Sequence, residues 1–147
     1  MAILHLLEPI LCLHCQQEQL DFSIELGSAH KNFSTIAIDN NTLQLNVQVK
    51  HGSLHGEAML TIYLTGGTST IQGNELVISK ATAATIHLAA ATNFKNYKDV
   101  TANAHERCVQ NIHQAKAVAY TTLLQQHIKE YQSYYNTFDI QLGKSNF

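Results

Sequence analysis

Two hydrophobic periods divide this chain, and the place where one gives way to the other constrains the fold more than composition does. Up to about residue 91, apolar side chains recur at every second position. From residue 103 they recur at every third and fourth. The first period puts alternate side chains on opposite faces of a strand, and the second puts them on one face of a helix. The chain therefore reads as β first and α second.

The clearest strand is residues 42–50, TLQLNVQVK. Leu43, Leu45, Val47 and Val49 alternate with Gln44, Asn46 and Gln48 without a fault. Residues 57–65 follow, with Ala58, Leu60, Ile62 and Leu64 on one face and Met59, Thr61 and Tyr63 on the other. Residues 20–27 put Leu20, Phe22, Ile24 and Leu26 on one face. Weaker or shorter strands are expected at 10–16, 33–39, 69–72, 75–79 and 83–91. Asn40-Asn41 and Gly73-Asn74 are turn pairs, and the second predicts a hairpin between 69–72 and 75–79. Gly66-Gly67 ends the strand before it. Several strands spaced by turns, with no helix before about residue 103, indicate an antiparallel sandwich.

Residues 94–101 form a polar connector. Beyond it, Cys108, Ile112, Ala115, Ala119 and Leu123 make one helical stripe, and Tyr120, Leu124, Ile128, Tyr131 and Tyr135 an adjacent one. A single helix over 103–136 would be ~50 Å long, so a break is expected near 117–122, where β-branched residues cluster. Phe138, Ile140 and Leu142 alternate as a last short strand. The fold class is thus mainly β with α: a partial antiparallel β-sandwich over 1–99, then one or two linker helices and a final strand over 100–147.

Charged residues make up 14% of the 147 and the net charge is −2, against about 25% charged in an average soluble domain. The nine Lys and Arg are scattered, so no basic stripe tracks a phosphate backbone and nucleic-acid binding is not expected. No run reaches the ~18 apolar residues of a membrane helix. The opening MAILHLLEPILCLHC is apolar, but it has no basic start and carries Glu8 and Pro9. It does not read as a signal peptide. Cys12, Cys15 and Cys108 make no even framework, and the Cys12/Cys15 pair has no second pair to complete a metal site.

The chemistry-bearing residues assemble no recognisable motif. The eleven carboxylates sit at polar strand faces, turns or helix ends, where solvated charge is the expected state. Among the nine histidines, His51 and His55 share a glycine-bearing loop, while His113 and His127 share a helix face only if the helix is unbroken. No metal and no cofactor is expected. His127 and Tyr131, one turn apart, read as a polar packing contact between linker helix and sandwich. Asn32-Phe33-Ser34 and Asn40-Asn41-Thr42 match the glycosylation sequon.

The order of several short motifs carries more than any of them alone. Gly66-Gly67, then residues 73–79, then the strand ending in Thr92-Asn93-Phe94, then Tyr120, Leu124, His127 and Tyr131, then Phe138 to Leu142, resembles the N-terminal domain and linker of glycoside hydrolase family 95, the α-L-fucosidase family. The likeness is good over about 57–142 and looser over 10–50. The resemblance implies inverting hydrolysis of α-L-fucosides or α-L-galactosides by an (α/α)6 barrel that follows the sandwich and linker. It places the catalytic acid and the water-activating groups in that barrel, so no catalytic residue carries over to this chain. The parent family is commonly secreted or periplasmic.

Three readings follow. In the first, the chain is a non-catalytic N-terminal fragment of an α-L-fucosidase-like enzyme, with the barrel as its partner and Thr92, Asn93 and Phe94 as substrate-adjacent residues. In the second, it is a stand-alone carbohydrate-binding module for fucosylated glycans. The absence of Trp and the placing of many of the eleven aromatics on core faces count against this. In the third, a sandwich short of strands self-associates through open edges.

Overall fold

A computed structural model describes residues 10–14, 19–140 and 143, with the backbone alone described over 10–14. Among the described residues there are eight strands and two helices. They are β1 (Ile10–His14), β2 (Leu20–Ile24), β3 (Phe33–Asp39), β4 (Thr42–Gln48), β5 (His55–Thr65), β6 (Thr68–Gln72), β7 (Glu75–Ala81), β8 (Ala83–Thr92), α1 (Ala104–Lys116) and α2 (Tyr120–Tyr135). All strand pairs are antiparallel. A five-stranded sheet has the order β1-β8-β5-β4-β3, and a three-stranded sheet the order β2-β7-β6. The described residues fall into two compact units, divided between Gln114 and Ala115.

The first unit is a sandwich with α1 against its larger sheet. One core lies between the sheets. Leu43, Leu60, Ile62, Ala84 and Ile86 of the large sheet meet Leu76, Ile78 and Ala81 of the small one, with Leu20, Phe22 and Ile24 packed at the margin. The alternation of β2, β4 and β5 is the sequence counterpart of this face. A second core lies on the opposite side of the large sheet. There Met59, Ala89 and Ala91 receive Cys108 and Ile112 of α1. β5 and β8 are buried on both faces for this reason, and the small side chains of Ala89 and Ala91 leave room for the helix.

Among the described strands the chain changes sheets four times, and two of the crossings, β5 to β6 and β7 to β8, lie at neighbouring points. β5 passes to β6 through Gly66 and Gly67, both with φ near +67°. β7 passes to β8 through Lys80, at φ +57°, and Thr82, whose N–H and hydroxyl both donate to Thr65 O at 2.8 Å. The hairpin between β6 and β7 turns at Gly73, at φ +63°.

The structure corrects several expectations. β4 ends at Gln48, two residues early, because the Gln48 side-chain amide donates into the following loop, to Gly52 O at 2.8 Å and Leu54 O at 3.0 Å. β2 ends at Ile24 rather than at residue 27. Residues 138–140 are not a strand: alternation without a neighbouring strand supplies no hydrogen-bond partners. The rest of that expected strand, and Cys15, lie outside the described residues. The helical segment is interrupted at 117–119, where Ala119 is extended (φ −63°, ψ 140°). Asn103 caps α1, its Oδ1 accepting from Glu106 N at 3.1 Å.

The second unit is dominated by α2, none of whose residues is buried. Its rings contact one another: His127 lies 6.4 Å from Tyr131, and Tyr131 stacks on Tyr135 at 5.7 Å. No helix among the described residues is long and apolar enough to cross a membrane.

Candidate functional site

Polar side chains converge where β8 leaves the large sheet, β5 enters it and α1 begins. Asn93, 3% exposed, is the centre. Its Oδ1 accepts from His55 N at 3.0 Å, and its Nδ2 donates to Ser53 O at 2.9 Å and Val100 O at 2.7 Å. Its backbone N–H donates to His55 O at 3.1 Å, and its carbonyl accepts from Ala102 N at 3.0 Å. One amide thus ties the β4–β5 loop, the end of β8 and the entry to α1. A buried amide needs this many partners, because each unpaired polar atom would carry its full desolvation penalty.

Arg107, on the first turn of α1, donates through Nη1 to Thr92 O at 2.8 Å and Phe94 O at 2.9 Å. His105 Nδ1 lies 2.6 Å from Glu57 Oε1. Glu57 is the only buried carboxylate among the described residues, whereas His105 is half exposed. The two are 48 positions apart in sequence, and β5 and α1 bring them together.

Of the three residues expected beside a substrate, Asn93 is wholly engaged by the fold. Thr92 and Phe94 flank it at the surface, Phe94 at 46% exposed. The connector beyond is pinned by its own polar groups. Asp99 Oδ1 accepts from Thr101 N at 2.9 Å and Thr101 Oγ1 at 2.7 Å, and Lys95 Nζ donates to Thr101 Oγ1 at 2.9 Å. These hydrogen bonds from Thr101 hold the Asp99 carboxyl below its ordinary pKa, with a smaller contribution from Lys95. The loop presents Tyr97 at 85% exposed, with the Lys98 ammonium 5.3 Å from its ring centre.

Tyr63 packs edge-on to His87 at 5.1 Å between ring centres on the face of the large sheet that also carries Met59, and burial raises its phenol pKa. Glu57, His105 and Arg107 were not singled out by sequence. Their one signal is the apolar Met59 two positions from Glu57, which marks the outer face of β5 as covered. Among the described residues no group of His, Cys, Asp and Glu is arranged to hold a metal ion.

The fold is a β-sandwich that carries a capped helix on its larger sheet. The model of the family "Glycosyl hydrolase family 65, N-terminal domain" matches residues 10–97, more than half of the chain, and the chain belongs to that family. The expected glycoside-hydrolase N-terminal domain therefore stands, while the match is to family 65 and not to family 95. No curated protein matches the chain. Among solved structures it is similar to a protein described as a kojibiose phosphorylase from the human microbiome. The identity is 12% and the TM-score 0.48, with 80% of this chain and 17% of that one covered. The chain thus spans about a sixth of that structure's length.

Proposed function

We propose that this chain is the non-catalytic N-terminal part of a glycoside-processing enzyme, a sandwich over 1–99 with a linker over 100–147 that docks on a catalytic domain. The observation that carries the reading is the family match over 10–97. Two features support it. The described carboxylates offer no buried pair for acid and base work on a glycosidic bond: Glu57 alone is buried and it is engaged by His105. And α2 presents Tyr120, Leu124, Ile128, Tyr131 and Tyr135 to solvent, a stripe that calls for a covering partner. The finer reading is an α-L-fucosidase-like enzyme with an (α/α)6 catalytic barrel as the partner. Its support is the sequence motif order from Gly66 to Tyr131; the strand expected to follow it is not formed at 138–140. Thr92 and Phe94, at the rim of the pinned connector, would then lie toward the substrate, with Asn93 fixing them from beneath.

Two measurements test this. Purified chain assayed with nitrophenyl α-L-fucoside should release nothing above buffer, and turnover would overturn the non-catalytic role. Reading the coding DNA on both sides should reveal a downstream segment encoding a helical catalytic domain, and unrelated flanks would overturn the module reading.

A further inference from the structure

The edge strands whose side chains are described, β2, β3 and β6, are not equally protected. β2 carries Asp21, and its register with β7 breaks between Leu20 and Phe22. β3 ends in Asp39, and its register with β4 breaks between Ala37 and Asp39. The hydroxyl of its buried Thr35 also donates to Leu26 O at 2.8 Å. Charges, bulges and covering segments of this kind keep edge strands from pairing with other chains. β6 has none of them. It is uncharged and free of proline, it pairs with β7 in unbroken register, and all its residues but Ser69 are exposed. We infer that β6 pairs antiparallel with β6 of a second copy of this chain, joining the two small sheets into one.

The register of β6 suits a second copy of itself. Gln72 and Glu75 face each other across the Gly73-Asn74 turn, and residues that flank a two-residue turn form a hydrogen-bonded pair. Along a strand, backbone hydrogen bonding alternates from one edge to the other. Thr70 and Thr68 therefore also bond to β7, while Ser69 and Ile71 turn their N–H and C=O groups outward. A twofold axis at Thr70 sets Ser69 of each copy opposite Ile71 of the other, so the outward groups of the two strands meet as hydrogen-bonded pairs.

The side chains agree with that axis. Ile71 lies opposite Leu76, on the face toward the intersheet core, yet it is 42% exposed. Across the axis the two Ile71 residues are diagonal neighbours at ~7–8 Å, within reach of each other. On the outer face Thr70 meets Thr70 at a Cα separation of ~4.5 Å, and Thr–Thr is a favourable cross-strand pair. Thr68 opposes Gln72, and neither strand brings a charge to the junction. The merged sheet, β2-β7-β6-β6-β7-β2, falls within the usual size of β-sheets. One strand pair buries less than the ~1,200–2,000 Å2 of a stable complex, so the dimer is weak and reversible. The inference stands on the edge alone and not on which enzyme the chain serves.

The test is sedimentation velocity of the full chain from micromolar to millimolar concentration, with circular dichroism to follow the fold. The expected result is a reversible monomer–dimer equilibrium. Thr70→Lys and Thr70→Glu, at an exposed position, should keep the fold and weaken the dimer about tenfold or more, because like charges then face each other across the axis. An equimolar mixture of the two variants should restore association, since opposite charges then meet. Thr70→Val, uncharged and β-branched, should dimerise as the wild type does, and so should Leu124→Lys on α2. The inference is overturned by a wild type that stays monomeric throughout, by undiminished dimerisation of Thr70→Lys, or by a mixture that associates no better than either variant alone. Loss of the dimer in Thr70→Val or in Leu124→Lys overturns it as well, the latter by moving the contact to α2. None of these failures touches the module reading, which is tested by the coding sequence downstream.

Discussion

His55 and Asn93, 38 positions apart, are joined by two hydrogen bonds: the His55 N–H donates to the Asn93 side chain at 3.0 Å, and the Asn93 N–H to the His55 carbonyl at 3.1 Å. Asn93→Ala keeps the second and deletes the first, along with the links to Ser53 and Val100. It strands one donor and two acceptors in a part-buried site. The expected loss is about 3 kcal/mol, because stranded groups cost about 1–3 kcal/mol each and do not add fully. Urea unfolding of both proteins measures it. A change within about 0.5 kcal/mol, the size of a neutral surface substitution, would show that Asn93 does not tie the three segments.

Gly67 sits where one sheet crossover touches the other. A Cβ there would fall 2.5 Å from Ala81 N, 2.6 Å from Lys80 C and nearer still to Ser79 O, all backbone atoms. Gly73 has a similar φ, +63°, but open space around its Cβ position. Gly73→Ala should cost only the left-handed strain of about 1–2 kcal/mol. Gly67→Ala carries that strain and a backbone clash as well, and should lose at least about 2 kcal/mol more. Chemical denaturation of the two variants compares them directly. Equal losses would mean that the crossovers part without cost.

Much of this architecture is legible because alternation in β4 and β5 reports burial directly. Leu43 and Ile62 are almost wholly buried, and they lie on the faces that the pattern assigns to the core. The handover to helix is legible for a related reason: Asn103 is a capping residue just before a new period. Alternation fails at the edge strand. In β3, Phe33, Ile36 and Ile38 are exposed and Thr35 is buried, since no further strand covers that margin. The expectation that many aromatics face the core fails with it, as Phe33, Phe94, Tyr97 and the tyrosines of α2 are exposed. Contacts set by strand order are not local either. Nothing near Glu57 points to His105, because their meeting depends on which face of β5 receives α1.

The lack of burial in α2 gives a contrast that stability measurements can read. Ile62, 1% exposed in the intersheet core, should cost about 2–5 kcal/mol on truncation to Ala. Leu124 and Ile128 are 41% and 44% exposed, and the same truncation should change the stability of this chain by no more than about 0.5 kcal/mol. Thermal or urea unfolding of the three variants tests this. A loss above about 1 kcal/mol at Leu124 or Ile128 would show that the α2 stripe is already covered within the chain, and would remove it as a surface for a catalytic domain.

Asp99 and Thr101 make the connector sensitive to acid. Two hydrogen bonds from Thr101 favour the ionised carboxylate, so the Asp99 pKa lies below its ordinary value of 3.8. A carboxyl depressed in the folded state stabilises that state wherever it is ionised. The contribution is complete above the unfolded value and disappears as pH falls through the lower folded one. Thr101→Val removes the hydroxyl donor and keeps the backbone donor, so the Asp99 titration should move upward toward 3.8. Lys95→Met should move it less, because the ammonium contributes less than Thr101 does. Following the Asp99 carboxyl carbon by NMR from neutral pH downward gives all three curves. Coincident curves for the wild type and Thr101→Val would mean that solvent, not Thr101, sets the charge on this loop.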